Sequence, residues 1–226
     1  MRSLLWKEWH EQSWKLAFSC ILLGAMAAIG LHSRIISDSD MMIWICLLGM
    51  LLPISYSSGL LPAERAEGYF ESLIALPVPP RTILLAKTIL GIALCIIPLL
   101  LAMMITLAMA GDREAADAQI IALFGRSIFA SAVLFIWMFA LTSQLPGETR
   151  ASLVSLGIWL SLAMVSLGLQ VQVSHLLAAL LTPVSYALNH GPPVADCLDI
   201  AIQGAIAVLL WFWTSRHFTT AAKELV

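Results

Sequence analysis

The sequence predicts an all-α integral membrane protein, and three observations carry that prediction. Of its 226 residues 60% are hydrophobic and only 12% are charged, too little polar surface to coat a soluble globule. The mean hydropathy is +0.91, and the apolar residues fall into runs long enough to cross about 30 Å of hydrocarbon as helices. Six such spans are expected within a single domain, residues 1–226, at about 16–33, 41–62, 83–110, 118–143, 151–173 and 199–215. The last is short, but it ends in Trp211 and Trp213, aromatics suited to a membrane interface.

Before the first span, residues 2–15 place Leu5, Trp6 and Trp9 on one helical face and Lys7, Glu8, Glu11 and Lys15 mostly elsewhere. This predicts an amphipathic interfacial helix leading into the membrane. Pro53, Pro62 and Pro98, with Gly49 and Gly59, allow kinks and close helix approach. Between spans five and six, residues 174–198 carry Pro183 and the run Asn189-His190-Gly191-Pro192-Pro193. That segment is expected to form a broken, re-entrant outer helix pair.

The longest charged interruption is Glu64 to Lys87. Glu64, Arg65, Glu67 and Glu71 alternate with Tyr69, Phe70, Leu73, Ile74 and Leu76, so a helix here is acidic on one side and apolar on the other. Pro77, Pro79 and Pro80 forbid its continuation, and Arg81 opens the next apolar run. With six spans, nine of the twelve Lys and Arg residues share one side: Arg2, Lys7, Lys15, Arg65, Arg81, Lys87, Arg150, Arg216 and Lys223. The positive-inside bias therefore puts both termini and the loop at 64–80 in the cytoplasm. Arg34 and Arg113 fall on the other side.

Several chemistries lack their residues. No GxxxxGK[ST] run is present, so any ATP is hydrolysed by a partner. Cys20, Cys46, Cys95 and Cys197 form no CxxC, and no metal site is expected. No nucleophile lies beside a His in a neighbouring span, so no catalytic residue is assigned. No Lys/Arg-rich patch points to nucleic acid. The spans are expected to hold no deep carboxylate, which argues against ion-coupled transport. Arg126 is the one charge well inside an apolar run. It either lines a pathway or snorkels to the outer interface from a span that begins at Phe124 or later.

The Glu64–Lys87 stretch resembles the signature region of the type 2 ABC transporter permeases, membrane subunits of ABC exporters. Their pattern of acidic residues, Gly, Glu, Leu, Pro, Arg and Lys after the second span is matched by Glu64, Glu67, Gly68, Glu71, Leu73, Pro77, Arg81 and Lys87, with Tyr69 where the family has Thr and Pro80 where it has Ser. The resemblance implies a type V exporter fold and a cytoplasmic coupling helix that docks a separate ATPase through Glu64, Arg65, Glu67, Gly68, Phe70, Glu71, Leu73, Pro77 and Arg81. It further implies two ATPase copies carrying ATP and Mg, a second permease copy as homodimer or heterodimer, and a pathway formed in the bilayer of a bacterial cytoplasmic membrane. This chain itself is then no enzyme and holds no cofactor. The haem-exporter permease of cytochrome c maturation is a close variant, though the glycine- and proline-rich fifth-span region expected of it is missing. A non-transporting accessory protein that docks a cytosolic partner is the other alternative.

The charge asymmetry makes a direct prediction. In a cysteine-free background, single cysteines replacing Ser3 and Ala221 should resist an impermeant thiol reagent in intact cells, whereas one replacing Ala115 should react. Labelling at position 3 from outside would reverse the orientation.

Overall fold

The computed structural model describes residues 2–33, 38–62, 64, 78–110, 114–145, 147–172, 183 and 193–224. All the elements in these segments are α-helices: α1 (Arg2–Ser33), α2 (Asp38–Gly49), α3 (Leu52–Leu60), α4 (Pro80–Ala110), α5 (Glu114–Thr142), α6 (Glu148–Gln172) and α7 (Pro193–Glu224). Among the described residues, five stretches are long and apolar enough to cross a membrane: Trp6–Ile29, Met42–Leu60, Pro80–Met109, Ala118–Thr142 and Cys197–Phe218. The expected fifth span falls on α6, a helix of 25 residues.

Three boundaries differ from expectation. The interfacial helix at 2–15 and the span at 16–33 form one unbroken helix, because no Pro or Gly separates them and propagation past Lys15 meets no obstacle. The second span is two helices rather than one. Pro53 has no N–H to offer the carbonyl of Gly49, and the chain passes Met50 and Leu51 through tighter turns, with Leu51 N–H donating to Leu48 O at 3.0 Å and Ile54 N–H to Leu51 O at 3.1 Å. At the far end, α7 starts at Pro193, a residue suited to a first helical position, so 193–198 belong to the last helix and not to a re-entrant pair. Residues 174–182 and 184–192 of the expected outer segment lie outside the described residues.

Around an apolar interior, large apolar side chains also face outward and many small polar ones are buried. Trp6, Phe18, Ile21, Ile29, Met104, Leu153, Met164 and Leu209 face outward, while Ser57, Ser58, Thr88, Thr106, Ser127 and Ser131 are buried. Lipid supplies no hydrophobic force between helices, so apolar side chains gain little by turning inward and polar ones gain a partner. Thr88, Thr106, Ser127 and Thr142 donate to the carbonyls four residues back, at 2.7–2.9 Å. Others join helices: Ser19 to Tyr56 at 3.1 Å, Ser152 to Ser58 at 2.9 Å, and Trp211 Nε1 to Thr88 Oγ1 at 3.3 Å.

Helix α5 runs through the middle. Ile120 and Phe124 pack with Leu23, Ile45 and Leu99 in one cluster, whereas Phe135 and Phe139 pack with Tyr56, Leu60, Leu84 and Phe218 in another. Ala130, Leu134 and Met138 form a third cluster with Met50, against which Trp159 and Leu162 of α6 rest. Two glycines permit the close approaches. A Cβ on Gly49 would collide with Leu99, and one on Gly91 with the ring of Phe135.

Gly91→Ala should therefore destabilise the bundle by about 1–3 kcal/mol through overpacking, read as a lower Tm in detergent. Gly157→Ala, where a Cβ meets nothing within 4 Å, should be neutral or stabilising by up to about 1 kcal/mol. Equal effects at both positions would contradict this packing.

Candidate functional site

The loop that the sequence singles out is rooted in a buried charge cluster. Lys87 lies about two turns into α4, and Pro80 sets that helix's start, with Thr82 N–H donating to Pro79 O at 2.8 Å. The Lys87 side chain is 0% exposed and those of its two carboxylate neighbours, Glu8 and Glu64, are 3% and 8% exposed. Lys87 Nζ donates to Glu8 Oε1, lies 2.9 Å from Glu64 Oε2, and donates to Leu60 O at 3.0 Å. An ammonium has three donors, and here three acceptors surround it.

Each acceptor comes from a different stretch of chain. Glu8 projects from the first turns of α1, where Gln12 and Ser19 are also buried. Leu60 ends α3. Glu64 stands just before residues 65–77, and Lys87 lies ten residues beyond them, inside α4, so chain from before and after that segment meets at one ammonium. Around this centre, Gln12 Nε2 lies 3.5 Å from Gly59 O, Lys15 donates to Glu148 Oε1 at 2.6 Å, and Gly147 N–H donates to Pro62 O at 3.1 Å. Gly147 has φ +94°, a left-handed conformation in which glycine is nearly unstrained, and its carbonyl receives the first turn of α6 through Ala151 N–H at 3.1 Å. Gly59 keeps the Lys15 route open, since a Cβ there would come within 2.8 Å of Lys15 Nζ.

The cluster is electrostatically uneven. One cation faces two carboxylates, and burial of Glu64, opposed by Lys87 and reinforced by Glu8, pushes its carboxyl above the ordinary range. Glu8 accepts a hydrogen bond from Lys87, and Glu64 Oε2 lies 2.9 Å from the same ammonium, so the two carboxylates share one cation.

Of the residues expected to dock a partner, Glu64 and Arg81 are described: Glu64 is buried, and Arg81 is exposed at the second residue of α4. Arg65, Glu67, Gly68, Phe70, Glu71, Leu73 and Pro77 lie outside the described residues. Arg126 sits about three turns into α5 and is half-buried. The apolar stretch containing it begins at Ala118, ahead of Phe124. Asp199, at the start of the expected sixth span, is fully buried inside α7, as is Gln203 one turn on. Glu8 is buried near the start of the first apolar stretch and Asp199 near the start of the last, each close to an end of its stretch.

Sequence reasoning missed the roles of Glu8 and Lys87. The signals were there: Glu8, Gln12, Lys15 and Ser19 fall on one helical face of an otherwise apolar, Trp-rich stretch, and Lys87 interrupts an apolar run. In lipid a polar stripe turns toward the protein, which the interfacial reading reversed.

Residues 10–225 match the family model described as ABC-2 family transporter protein. The chain belongs to that family. Its members are membrane subunits of ABC transporters, so the apolar helices of this ABC-2 chain make it an integral membrane protein, and membership implies association with an ABC ATPase subunit. A search of curated proteins gave no match.

Glu64→Gln should leave this ABC-2 protein as stable as the parent or stabilise it, because it removes the surplus carboxylate. Lys87→Met should cost about 3–5 kcal/mol by stranding buried carboxylates. The folded carboxyl of Glu64 is raised, so its stabilising protonation is present below the ordinary carboxylate value and is lost as pH climbs through the raised one. Thermal unfolding across that window should show the parent losing stability with rising pH and Glu64→Gln losing less. Identical profiles would contradict the assignment.

Proposed function

We propose that this chain is the membrane-spanning permease subunit of an ABC exporter, working as a dimer and driven by a separate ATPase docked on the 64–80 loop. The family match over residues 10–225 carries the reading. The anchoring of Glu64, at the start of that loop, on Lys87 supports it, because a docking element must be held firmly to transmit work. In this reading α6 is a sixth span, both termini are cytoplasmic, and the membrane is the bacterial cytoplasmic membrane. Arg126 lines the pathway from its place inside α5.

A second copy follows from the interior of a single bundle, which is filled by aromatic and aliphatic clusters. Gly49 and Gly91 are spent on contacts within the chain, while Gly157 on the outward side of α6 remains open to another helix. Closed two-fold symmetry then presents two equivalent loops and calls for two ATPase subunits.

The purified chain alone should hydrolyse no ATP, and with its cognate ATPase subunit it should form a two-plus-two complex by native mass spectrometry in nanodiscs, with hydrolysis that depends on this chain. A one-to-one complex active in transport, or hydrolysis by this chain alone, would overturn the proposal.

A further inference from the structure

We propose that Ser155 and Trp159 of α6, with Trp137 of α5, form an uncharged hydrogen-bonding site inside the bundle that takes one neutral oxygen acceptor, supplied by a water molecule or by the carbonyl or hydroxyl of an uncharged amphiphile. The site stands apart from the charge cluster, and it holds whether or not the chain works as an exporter.

Contacts on three helices place it. Gly147 N–H donates to Pro62 O at 3.1 Å and Ser152 Oγ to Ser58 Oγ at 2.9 Å, so α6 runs antiparallel to α3 and brings Ser155 to the level of Ser55. Trp159 lies one turn further on the same face of α6 and rests with Leu162 against Met50, Ala130, Leu134 and Met138. On α5, Trp137 follows Ala130 by seven residues and Leu134 by three, which puts it on the face that meets α6. Helix α5 runs parallel to α3, since Phe124 packs with Ile45 and Phe139 with Tyr56 and Leu60. With Ser131 Oγ donating to Gly49 O at 3.4 Å, Trp137 reaches the same depth as Ser155.

Three polar atoms at this place are buried and bond to none of the described residues: Ser155 Oγ, Trp137 Nε1 and Trp159 Nε1. Ser155 as a whole is fully buried. Farther along α6, Ser161 Oγ donates to Gly157 O four residues back at 2.8 Å, whereas Ser155 makes no such bond to Ala151. The hydroxyls opposite on α3 are already engaged, Ser57 with Ile54 O at 3.3 Å and Ser58 with Ser55 O at 3.1 Å and with Ser152. At hydrocarbon depth such unsatisfied groups are costly. Indole N–H only donates, and a hydroxyl donates or accepts, so the set calls for an acceptor oxygen. The packed surroundings are Met50, Ile54, Ala130, Leu134 and Met138, which offer an anion no countercharge, so the ligand is uncharged. Both tryptophans are only partly buried as residues while their N–H groups are fully so, which puts the donors one ring's width below the bundle surface.

The test uses the full chain with isotope-labelled tryptophan in phosphatidylcholine nanodiscs, reading magnetisation transfer to each indole N–H by nuclear magnetic resonance, with Trp137→Phe and Trp159→Phe to assign the two signals. Both groups in the parent should receive transfer from water or from the glycerol and carbonyl-adjacent protons of lipid. Water as the source is identified by transfer that persists when dioleoylglycerol is titrated in; the amphiphile is identified by lipid transfer that grows with it. Ser155→Ala should cut the transfer at least about threefold, by loss of one hydrogen bond that holds the oxygen, and Ser161→Ala should leave it unchanged. Transfer from chain methylenes alone in the parent, or full transfer surviving in Ser155→Ala, would overturn the site. The parent spectrum decides even where a variant fails to fold.

Discussion

The structure depends on how the ammonium of Lys87 is removed from water. A bare buried charge of this kind is unaffordable, since even partial relaxation leaves a penalty of several kcal/mol per ion. The chain meets the demand with two carboxylates and a carbonyl brought from α1, the end of α3 and the stretch just beyond it. Those three ligands determine which helices can be neighbours at this end of the bundle. Helix α1 must lie along α4, and α3 must end beside both. The apolar clusters above tolerate exchange of one aliphatic for another more readily than this centre tolerates loss of a partner.

The rest of the interior satisfies its polar groups by shorter means. Thr88, Thr106, Ser127 and Thr142 return their hydroxyls to their own helices, so they add no constraint on the neighbours. Ser58 with Ser152, and Ser19 with Tyr56, do add one, but as neutral contacts that model systems place at about 1 kcal/mol or less. Specificity is therefore concentrated at the charged end, and close packing governs the remainder.

Much of this was legible in the residues because proline and hydropathy act locally. Pro77, Pro79 and Pro80 announced where α4 begins, the apolar runs located the long helices, and Pro53 marked the place where the second span divides. What could not be read depends on which side of a helix meets protein and which meets lipid. The Trp-bearing side of α1 was legible as a stripe, but Trp6 is 70% exposed while Glu8 is buried. That choice is made by Lys87, which stands 79 residues away. Long-range pairing of this sort leaves no local period in the sequence.

The 79-residue separation between Glu8 and Lys87 also has a temporal side. A ribosome adding about 5–20 residues per second needs roughly 4–16 s to pass from one to the other. During that interval Glu8 has no cation to meet it, and the headgroup region, where water remains, is the place that can host it. Trp6, Trp9 and Trp14, outward-facing at the same end of α1, favour that depth. The tryptophans that look like surface decoration in the finished bundle thus hold the first helix at a hydrated level while its carboxylate waits for the third span to emerge.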